Sequence, residues 1–210
     1  HVLVRDAEAV STDERARLVE RLGPLCTSLV LGENAKPTDI SYAERCAALQ
    51  GPLHFEEEIN GLRYRIHPNA FFQTNTTMAE ALQTEALAAL APRPGQRVLD
   101  LYGGIGFFGI ACAKQGATVF GQELDPFAVT EAQANARLNG VEDRFTFASG
   151  PVEALDPSAW GADAALIDPP RAGLHPKALA ALCAHGPARV VYVSCNYHSF
   201  LKEWPVLAEH

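Results

Sequence analysis

Short apolar runs alternate with helical stretches in the second half of the chain. The β-branched, apolar run at 98–102 is separated by a glycine cluster from a helical stretch that starts at Phe107. Four more runs have strand character, at 118–124, 145–148, 164–167 and 189–194, and helices are expected between them at 126–139 and 175–183. Strict alternation of strand and helix is typical of parallel strands with right-handed crossovers. The pattern therefore predicts a doubly wound, mostly parallel α/β sheet. Because 189–194 is almost continuously apolar, we expect that strand to be buried on both faces.

The first part of the chain has a different pattern. Strand-like runs at 2–5 and 27–32 flank a helical stretch at 12–22, and two alternating runs at 55–59 and 62–66 are separated by Asn60-Gly61. Asn-Gly between alternating runs is the strongest short hairpin signal. We therefore predict a small α+β lobe over residues 1–67. The second domain, over 68–210, opens with an Ala-rich helix at 76–90.

The amino-acid composition excludes several classes of protein. The chain has 210 residues, with 17 Lys and Arg against 25 Asp and Glu and a formal net charge of -8, which by itself argues against nucleic-acid binding by charge. No apolar run approaches the roughly 20 residues of a membrane span, so no membrane protein is expected. The five cysteines are scattered without a C-x-x-C pair, which predicts no disulfide framework, no metal site and a reducing, cytoplasmic location. Since the chain starts with His and stops within a predicted helix, we expect a fragment.

The glycine cluster predicts a nucleotide site. Gly104 to Gly109 fits G-x-G-x-x-G between a predicted strand and helix, and Glu123 ends the next strand about twenty residues on. The same geometry suits a dinucleotide or an adenosyl nucleoside, because glycines admit the ligand close to the backbone and the acid accepts both ribose hydroxyls. The pattern alone leaves both ligands open, and glycines can also serve only for a positive φ.

Two further segments follow strands that are expected to end at the same edge of the sheet. Asp168-Pro-Pro-Arg171 follows the fourth strand, and Ser194-Cys195-Asn196 follows the fifth. Ligands of α/β sheets bind at the carboxyl ends of the strands. A nicotinamide enzyme needs neither segment, so their coincidence favours the adenosyl ligand.

Four ordered motifs resemble the RNA uracil-5-methyltransferase family, which makes 5-methyluridine in transfer and ribosomal RNA. They are Phe71-Phe-Gln-Thr-Asn75, Val98-Leu-Asp-Leu-Tyr-Gly-Gly-Ile-Gly106, Asp168-Pro-Pro-Arg-Ala-Gly173 and Tyr192-Val-Ser-Cys-Asn196. The resemblance covers most of the chain. It implies a Rossmann-like methyltransferase domain, S-adenosylmethionine as cofactor, and an RNA substrate in which ribosomal RNA is favoured over transfer RNA. It also implies a monomer.

The resemblance assigns roles residue by residue. Gln73, Tyr102, Glu123 and Asp168 would contact S-adenosylmethionine, and Cys195 would be the nucleophile. A thiolate that adds to C6 of uracil makes C5 nucleophilic enough to take a methyl group, and a base then removes the C5 proton so that the thiol can leave.

The family's base is a Glu in a C-terminal His-x-Glu segment, which by spacing lies beyond residue 210, and neither Glu203 nor Glu209 is put forward for that role. Its RNA-gripping barrel and, where present, its iron-sulphur cysteines lie upstream. The local candidates for phosphate contacts are Arg63, Arg65 and Arg171.

The chain departs from the family pattern at several positions. Gly103 stands where Cys is common, Phe107 where a small or polar residue such as Asn can contact the cofactor, and Tyr197 where Pro is usual; Gly150-Pro151 replaces Gly-Asp. These changes bear on cofactor affinity. Two alternatives stay open: a nicotinamide-dependent oxidoreductase that uses the glycine turn, and a catalytically inactive nucleoside-binding scaffold.

Overall fold

The computed structural model describes residues 1–36, 42–156 and 161–209. The chain forms two compact units, His1–Glu57 with Arg65–Ala70 and Glu58–Tyr64 with Phe71–His210. The predicted boundary near residue 67 stays a prediction. In chain order the helices are α1 (Thr12–Leu22), α2 (Thr76–Leu90), α3 (Phe107–Lys114), α4 (Pro126–Leu138), α5 (Pro176–His185) and α6 (Tyr197–Ala208).

The first unit contains a three-stranded sheet and α1. Its strands are β1 (Val2–Val4), β2 (Leu29–Glu33) and β3 (Arg45–Gln50), in the order β1-β2-β3. Strand β1 is parallel to β2, and β3 is antiparallel to it. Helix α1 begins with a capping box in which Ser11 and Glu14 satisfy each other's backbone N–H groups. Sequence analysis missed β3, because Arg-Cys-Ala-Ala-Leu-Gln has neither β-branched residues nor regular alternation.

A two-stranded hairpin follows the first sheet. It consists of β4 (Phe55–Ile59) and β5 (Leu62–Ile66). Asn60 and Gly61 both have positive φ, 50° and 74°, as a two-residue hairpin turn that matches the right-handed twist of the strands requires. The predicted hairpin is therefore confirmed.

The second unit is built on a parallel five-stranded sheet. Its strands are β6 (Arg97–Leu101), β7 (Thr118–Glu123), β8 (Phe145–Ser149), β9 (Ala164–Ile167) and β10 (Val190–Tyr192), in the order β10-β9-β6-β7-β8. All four neighbouring pairs are parallel. The predicted α/β fold with a mostly parallel sheet is confirmed.

Burial differs between the centre and one edge of this sheet. All four residues of β9 are completely buried, as an inner strand covered on both faces should be. The prediction that the last strand is also buried on both faces was wrong: Val190 is 36% exposed, and Val191 and Tyr192 are half-buried. The reason is its place in the sheet, since among the residues that the structure describes β10 lies at the edge and pairs with β9 alone.

Candidate functional site

The two central strands define where a ligand can bind. From β6 the chain continues to its neighbour β7 and then β8, before it crosses to β9 on the other side of β6. The order of strands thus reverses between β6 and β9, and such a switch point opens a crevice at the carboxyl ends of the strands. There the Asp168 N–H donates to the Leu101 carbonyl over 3.2 Å, which fixes the segment after β9 beside the end of β6.

The glycine turn follows β6 at this crevice. Tyr102, Gly104 and Gly106 have φ of 59°, 55° and 82°, in the left-handed region that side chains other than Gly seldom adopt. An aromatic residue held there is backbone strain of the kind that concentrates at ligand sites. A Cβ at Gly104 would meet no atom within 4 Å, so the space over the turn is open to a ligand.

The predicted ribose acid lies against this turn. Glu123 ends β7, and its Oε2 accepts from the Gly104 N–H over 3.0 Å while its Oε1 accepts from the Asp125 N–H over 2.8 Å. Each oxygen keeps further lone pairs for other donors. The structure therefore brings together the glycine turn and the acid that the sequence singled out separately.

A second carboxylate lies beneath the turn, and sequence analysis missed it. Asp100 in β6 is 1% exposed, and its Oδ2 accepts from the Gly109 N–H over 2.9 Å. Burial raises the pKa of Asp100 to about 7, and the nearby Asp168 and Glu123 charges add to that rise, while the Gly109 hydrogen bond opposes it. Its signal was an acid in an otherwise apolar strand directly before the glycine cluster. Asp100 ties the start of α3 to the sheet.

Two departures from the family pattern have packing reasons. A Cβ at Gly103 would lie 2.6 Å from the Phe147 ring, so Phe147 occupies the space that a larger residue there would need. Phe107 is 8% exposed and packs on Tyr64 and Phe108, with ring centroids 5.7 and 4.7 Å away. Its carbonyl accepts from the Tyr64 hydroxyl and from Gln83. Phe107 therefore belongs to the packing behind the turn.

The remaining predicted cofactor contacts occupy different environments. Asp168 is half-buried, and burial raises its pKa to about 6. Tyr102 is half-buried against the cluster of β6, β9 and α5. Gln73 is half-buried in the segment before Asn75, which caps α2. Gln73 takes no part in the hydrogen bonds described above, and its place in the site stays a prediction.

Cys195 lies after the edge strand and is exposed. The turn around it is tied to the Asp-Pro-Pro-Arg segment by α6. The Asn196 side-chain amide and the Ser199 hydroxyl both donate to the Arg171 carbonyl, over 2.9 and 2.7 Å. The two segments predicted to meet at one sheet edge are therefore directly connected. Sequence analysis missed Ser199, because nothing in a helical sequence marks a hydroxyl that reaches a distant loop.

Other candidates are less informative. Arg171 and Arg63 are exposed and Arg65 is half-buried. Among residues 1–36, 42–156 and 161–209, no cluster of His, Cys, Asp and Glu could hold a metal ion. No helix within those ranges is both long and apolar enough to cross a membrane.

Comparison with known proteins gives the class. The TRM5/TYW2 methyltransferase domain family matches residues 55–200. The chain is 40% identical over 167 residues to a tRNA (uracil(54)-C(5))-methyltransferase of Pyrococcus furiosus, which covers 80% of this chain and 39% of that protein. It is 34% identical over 196 residues to an uncharacterized RNA methyltransferase of Listeria monocytogenes, covering 91% of this chain and 43% of the relative.

A solved structure agrees with this class. The tRNA (uracil-54, C5)-methyltransferase of Pyrococcus abyssi, in complex with S-adenosyl-L-homocysteine, superposes with a TM-score of 0.73 at 34% identity over 86% of this chain and 44% of that one. The fold is that of Rossmann-like methyltransferases. The chain belongs to the TRM5/TYW2 methyltransferase domain family. It spans about two fifths of the length of these relatives.

Proposed function

We propose that the full-length protein transfers a methyl group from S-adenosylmethionine to C5 of a uridine in RNA, through a covalent bond between Cys195 and C6 of the uracil. One observation carries the proposal: the open glycine turn with Glu123, the Asp168 segment and the Cys195 segment follow strands that end at one edge of the sheet. A nicotinamide enzyme would need only the first of these. The names of the relatives support the same reaction class.

The residues at the turn fit S-adenosylmethionine. The space over Gly104 is open, and the Glu123 carboxylate beside it has lone pairs for two ribose hydroxyls. Tyr102 and Asp168, after β6 and β9, would contact the rest of the cofactor, and an Asp168 carboxylate would favour its cationic methionine part. Gln73 completes the proposed set. The S-adenosyl-L-homocysteine bound to the Pyrococcus abyssi relative supports this cofactor.

In the proposed mechanism Cys195 acts as the nucleophile. Its thiolate sulphur forms a bond to C6, and the electron pair of the C5–C6 double bond moves toward C5 and O4. S-adenosylmethionine would supply an electrophilic methyl group: a bond forms between C5 and the methyl carbon while the bond between that carbon and the sulphonium sulphur breaks, which leaves S-adenosylhomocysteine. A base then removes the C5 proton, the double bond re-forms, and the bond between C6 and sulphur breaks, which frees the thiol. The target base must be unstacked to reach Cys195.

The base that removes the C5 proton stays a prediction from the family resemblance, a Glu in a His-x-Glu segment, and neither Glu203 nor Glu209 is proposed for that role. Glu203 is buried and accepts two hydrogen bonds, and Glu209 is exposed near the end of α6. RNA contacts by Arg63, Arg65 and Arg171 belong to the same proposal. So do a monomeric state and a cytoplasmic location, the latter supported by five free cysteines.

The proposal also concerns the class of RNA that is methylated. Sequence analysis favoured ribosomal RNA, and this stays a prediction. Relatives whose names specify uracil 54 of tRNA, at 36% to 40% identity, support transfer RNA as a second candidate substrate. Both RNAs present uridines in folded stems and loops, where recognition uses shape and exposed bases.

The test uses the full-length protein and RNA from a strain that lacks the gene. Incubation with S-adenosylmethionine should produce 5-methyluridine in one RNA, which nuclease digestion and mass spectrometry would locate. Production of another methylated nucleoside instead would contradict uracil-5 specificity. Methylation of ribosomal RNA alone would confirm the first expectation on the substrate, and methylation of transfer RNA alone would refute it.

Ligand binding distinguishes the proposed function from the two alternatives, a nicotinamide-dependent oxidoreductase and a catalytically inactive nucleoside-binding scaffold. S-adenosylhomocysteine, and not NAD, should raise the melting temperature of the protein. Stabilisation by NAD alone would favour the oxidoreductase. Stabilisation by S-adenosylhomocysteine without any methylated RNA would favour the nucleoside-binding scaffold.

A further inference from the structure

Helix α6 and its N-cap residue Asn196 present three polar side chains toward the segment that follows β9. Ser199 and Glu203 lie four residues apart on α6, a spacing that places them on one face of the helix. Asn196 and Ser199 donate to the Arg171 carbonyl, over 2.9 and 2.7 Å. Glu203 Oε1 accepts from the Leu174 N–H over 2.8 Å. The Arg171–Leu174 loop is therefore held at both ends by the helix that follows Cys195.

Glu203 also contacts the strand that leads to Cys195. Its Oε2 accepts from the Tyr192 hydroxyl over 2.7 Å, and Tyr192 is the last residue of β10. Cys195 follows three residues later. One carboxylate thus connects the loop after β9 with the end of β10, two pieces of chain that carry different parts of the proposed chemistry.

The backbone opposite Glu203 leaves room for this carboxylate. Gly173 has φ of 86°, and a Cβ there would lie 2.0 Å from Glu203 Oε1. The Gly173 N–H closes a turn by donating to the Pro170 carbonyl over 2.8 Å. Any other residue at 173 would be strained and would displace Glu203. Gly173 and Glu203 therefore form a matched pair.

Burial of the Glu203 carboxylate is unfavourable for a residue that only stabilises the fold. Glu203 is 9% exposed, and its two described partners, the Leu174 N–H and the Tyr192 hydroxyl, are neutral donors. Burying a carboxylate costs several kcal/mol, and apolar packing often gives equal or greater stability. What directed hydrogen bonds add is a fixed geometry.

We propose that Glu203 is a positioning residue, which holds the Arg171–Leu174 loop and the Cys195 turn in the relative placement that methyl transfer requires. This inference rests on the proposed function. Glu203 acts through the loop and the strand and does not contact the reacting atoms. Neither Glu123 nor Gly104 is among the described hydrogen-bond partners of Glu203, so we expect substitutions at Glu203 to change cofactor affinity little.

The experiment compares Glu203→Leu with Glu203→Gln in the full-length protein, with Glu209→Leu at the exposed C-cap of α6 as control. Glu203→Leu removes both hydrogen bonds and should slow single-turnover methyl transfer at saturating RNA by about 10- to 100-fold, since small misplacements have effects of that size. The dissociation constant of S-adenosylhomocysteine should stay within about twofold. Glu203→Gln can still accept from Leu174 and donate to the Tyr192 oxygen, so it should restore most of the rate.

Two results would overturn the proposal. One is a Glu203→Leu rate within about twofold of wild type. The other is a parallel loss of rate and cofactor affinity that Glu203→Gln does not reverse, because this would mean general destabilisation. If Glu203→Leu does not fold, Tyr192→Phe removes one of the two bonds and must then slow transfer while leaving cofactor affinity unchanged.

Hydrogen exchange tests the role of Glu203 independently of whether the proposed methyl transfer takes place. The Leu174 amide should exchange about tenfold faster in Glu203→Leu than in Glu209→Leu, since its protecting acceptor is lost. If the wild-type protein transfers no methyl group, the proposed function fails. The positioning role of Glu203 is then tested by this exchange and by the rate at which iodoacetamide alkylates Cys195. If Glu203→Leu changes neither the exchange of the Leu174 amide nor the alkylation of Cys195, the proposed role of Glu203 is refuted, whatever the outcome for the proposed function.

Discussion

The inner strands and the edge strand of the large sheet support two halves of the candidate site in different ways. Strand β9 is completely buried and pairs on both sides, with β6 and β10. Strand β10 has three residues, and Val190 at its start is 36% exposed. The end of β10 is connected to α6 by a side-chain hydrogen bond, in which the Tyr192 hydroxyl donates to Glu203. The proposed cofactor residues Tyr102 and Asp168 therefore follow strands that are mostly buried, whereas Cys195 follows a strand that is partly exposed in the described residues.

From this difference we expect substitutions in the inner strands and at the edge strand to affect different properties of the protein. A change in the inner strands should cost stability before it affects chemistry, because close packing and backbone ladders fix the glycine turn. A change at the edge should leave stability and cofactor binding nearly intact and alter the placement of Cys195. The following predictions test this contrast, from the largest expected effect to the smallest.

The largest difference should appear between two paired strands. Leu166 in β9 is completely buried, and Leu166→Ala should lower the free energy of unfolding by about 3 kcal/mol through lost burial and a residual cavity. Val190→Ala, at the exposed start of β10, should cost no more than about 1 kcal/mol. Urea denaturation measures both. Equal losses would show that the edge is packed as firmly as the centre.

Cofactor binding should depend on the inner half alone. Glu123→Ala removes the acceptor beside the glycine turn and should weaken S-adenosylhomocysteine binding by about 1–3 kcal/mol, the range of charge-assisted hydrogen bonds. Asn196→Ala, which loses the bond to the Arg171 carbonyl, should leave it unchanged. Titration calorimetry on both variants checks this. Unaltered affinity in Glu123→Ala would remove Glu123 from the cofactor site.

The smallest effect is a pH dependence of cofactor affinity. Burial raises the pKa of Asp168 to about 6, so its carboxylate takes up a proton as the pH falls through that value. Because the charged form favours a cationic ligand, S-adenosylmethionine should bind about tenfold more weakly at pH 5 than at pH 7. Asp168→Asn should bind weakly and with a smaller pH dependence, which is not zero because Asp100, whose pKa is raised to about 7, still takes up a proton in this range. If the affinity of the wild-type protein for S-adenosylmethionine is constant from pH 5 to pH 7, Asp168 does not contact the cofactor.

The sequence predicts the fold best where the local pattern and the tertiary structure agree. Helix α2 occupies the predicted residues Thr76–Leu90, since Asn75 caps its start and Ala91 in a left-handed conformation closes its end. The Asn60-Gly61 turn is likewise determined by local chemistry. Strand β3 was missed because its pairing with β2, and not its own composition, makes it a strand.

The candidate site shows the same division. Tyr102, Glu123, Asp168 and Cys195 could be singled out because they lie at or after the ends of strands in recognisable motifs. Asp100 carried a weaker signal, an acid in an apolar strand, and Glu203 carried none, because their roles depend on which distant N–H groups they meet, Gly109 for one and Leu174 for the other. The edge position of β10 also could not be predicted, since an apolar run indicates a strand without giving its place in the sheet.

The most direct test of the account is trapping of Cys195 on RNA that carries 5-fluorouridine at the target position. Fluorine cannot leave as the C5 proton does, so elimination is blocked after methyl transfer and the full-length protein should stay covalently bound to the RNA. Cys195→Ala should lose both the adduct and methylation while it keeps cofactor affinity. Cys183→Ala, a change on α5, should keep all three. Methylation by Cys195→Ala at a rate comparable to wild type would contradict the thiol mechanism and, with it, the uracil-5 assignment.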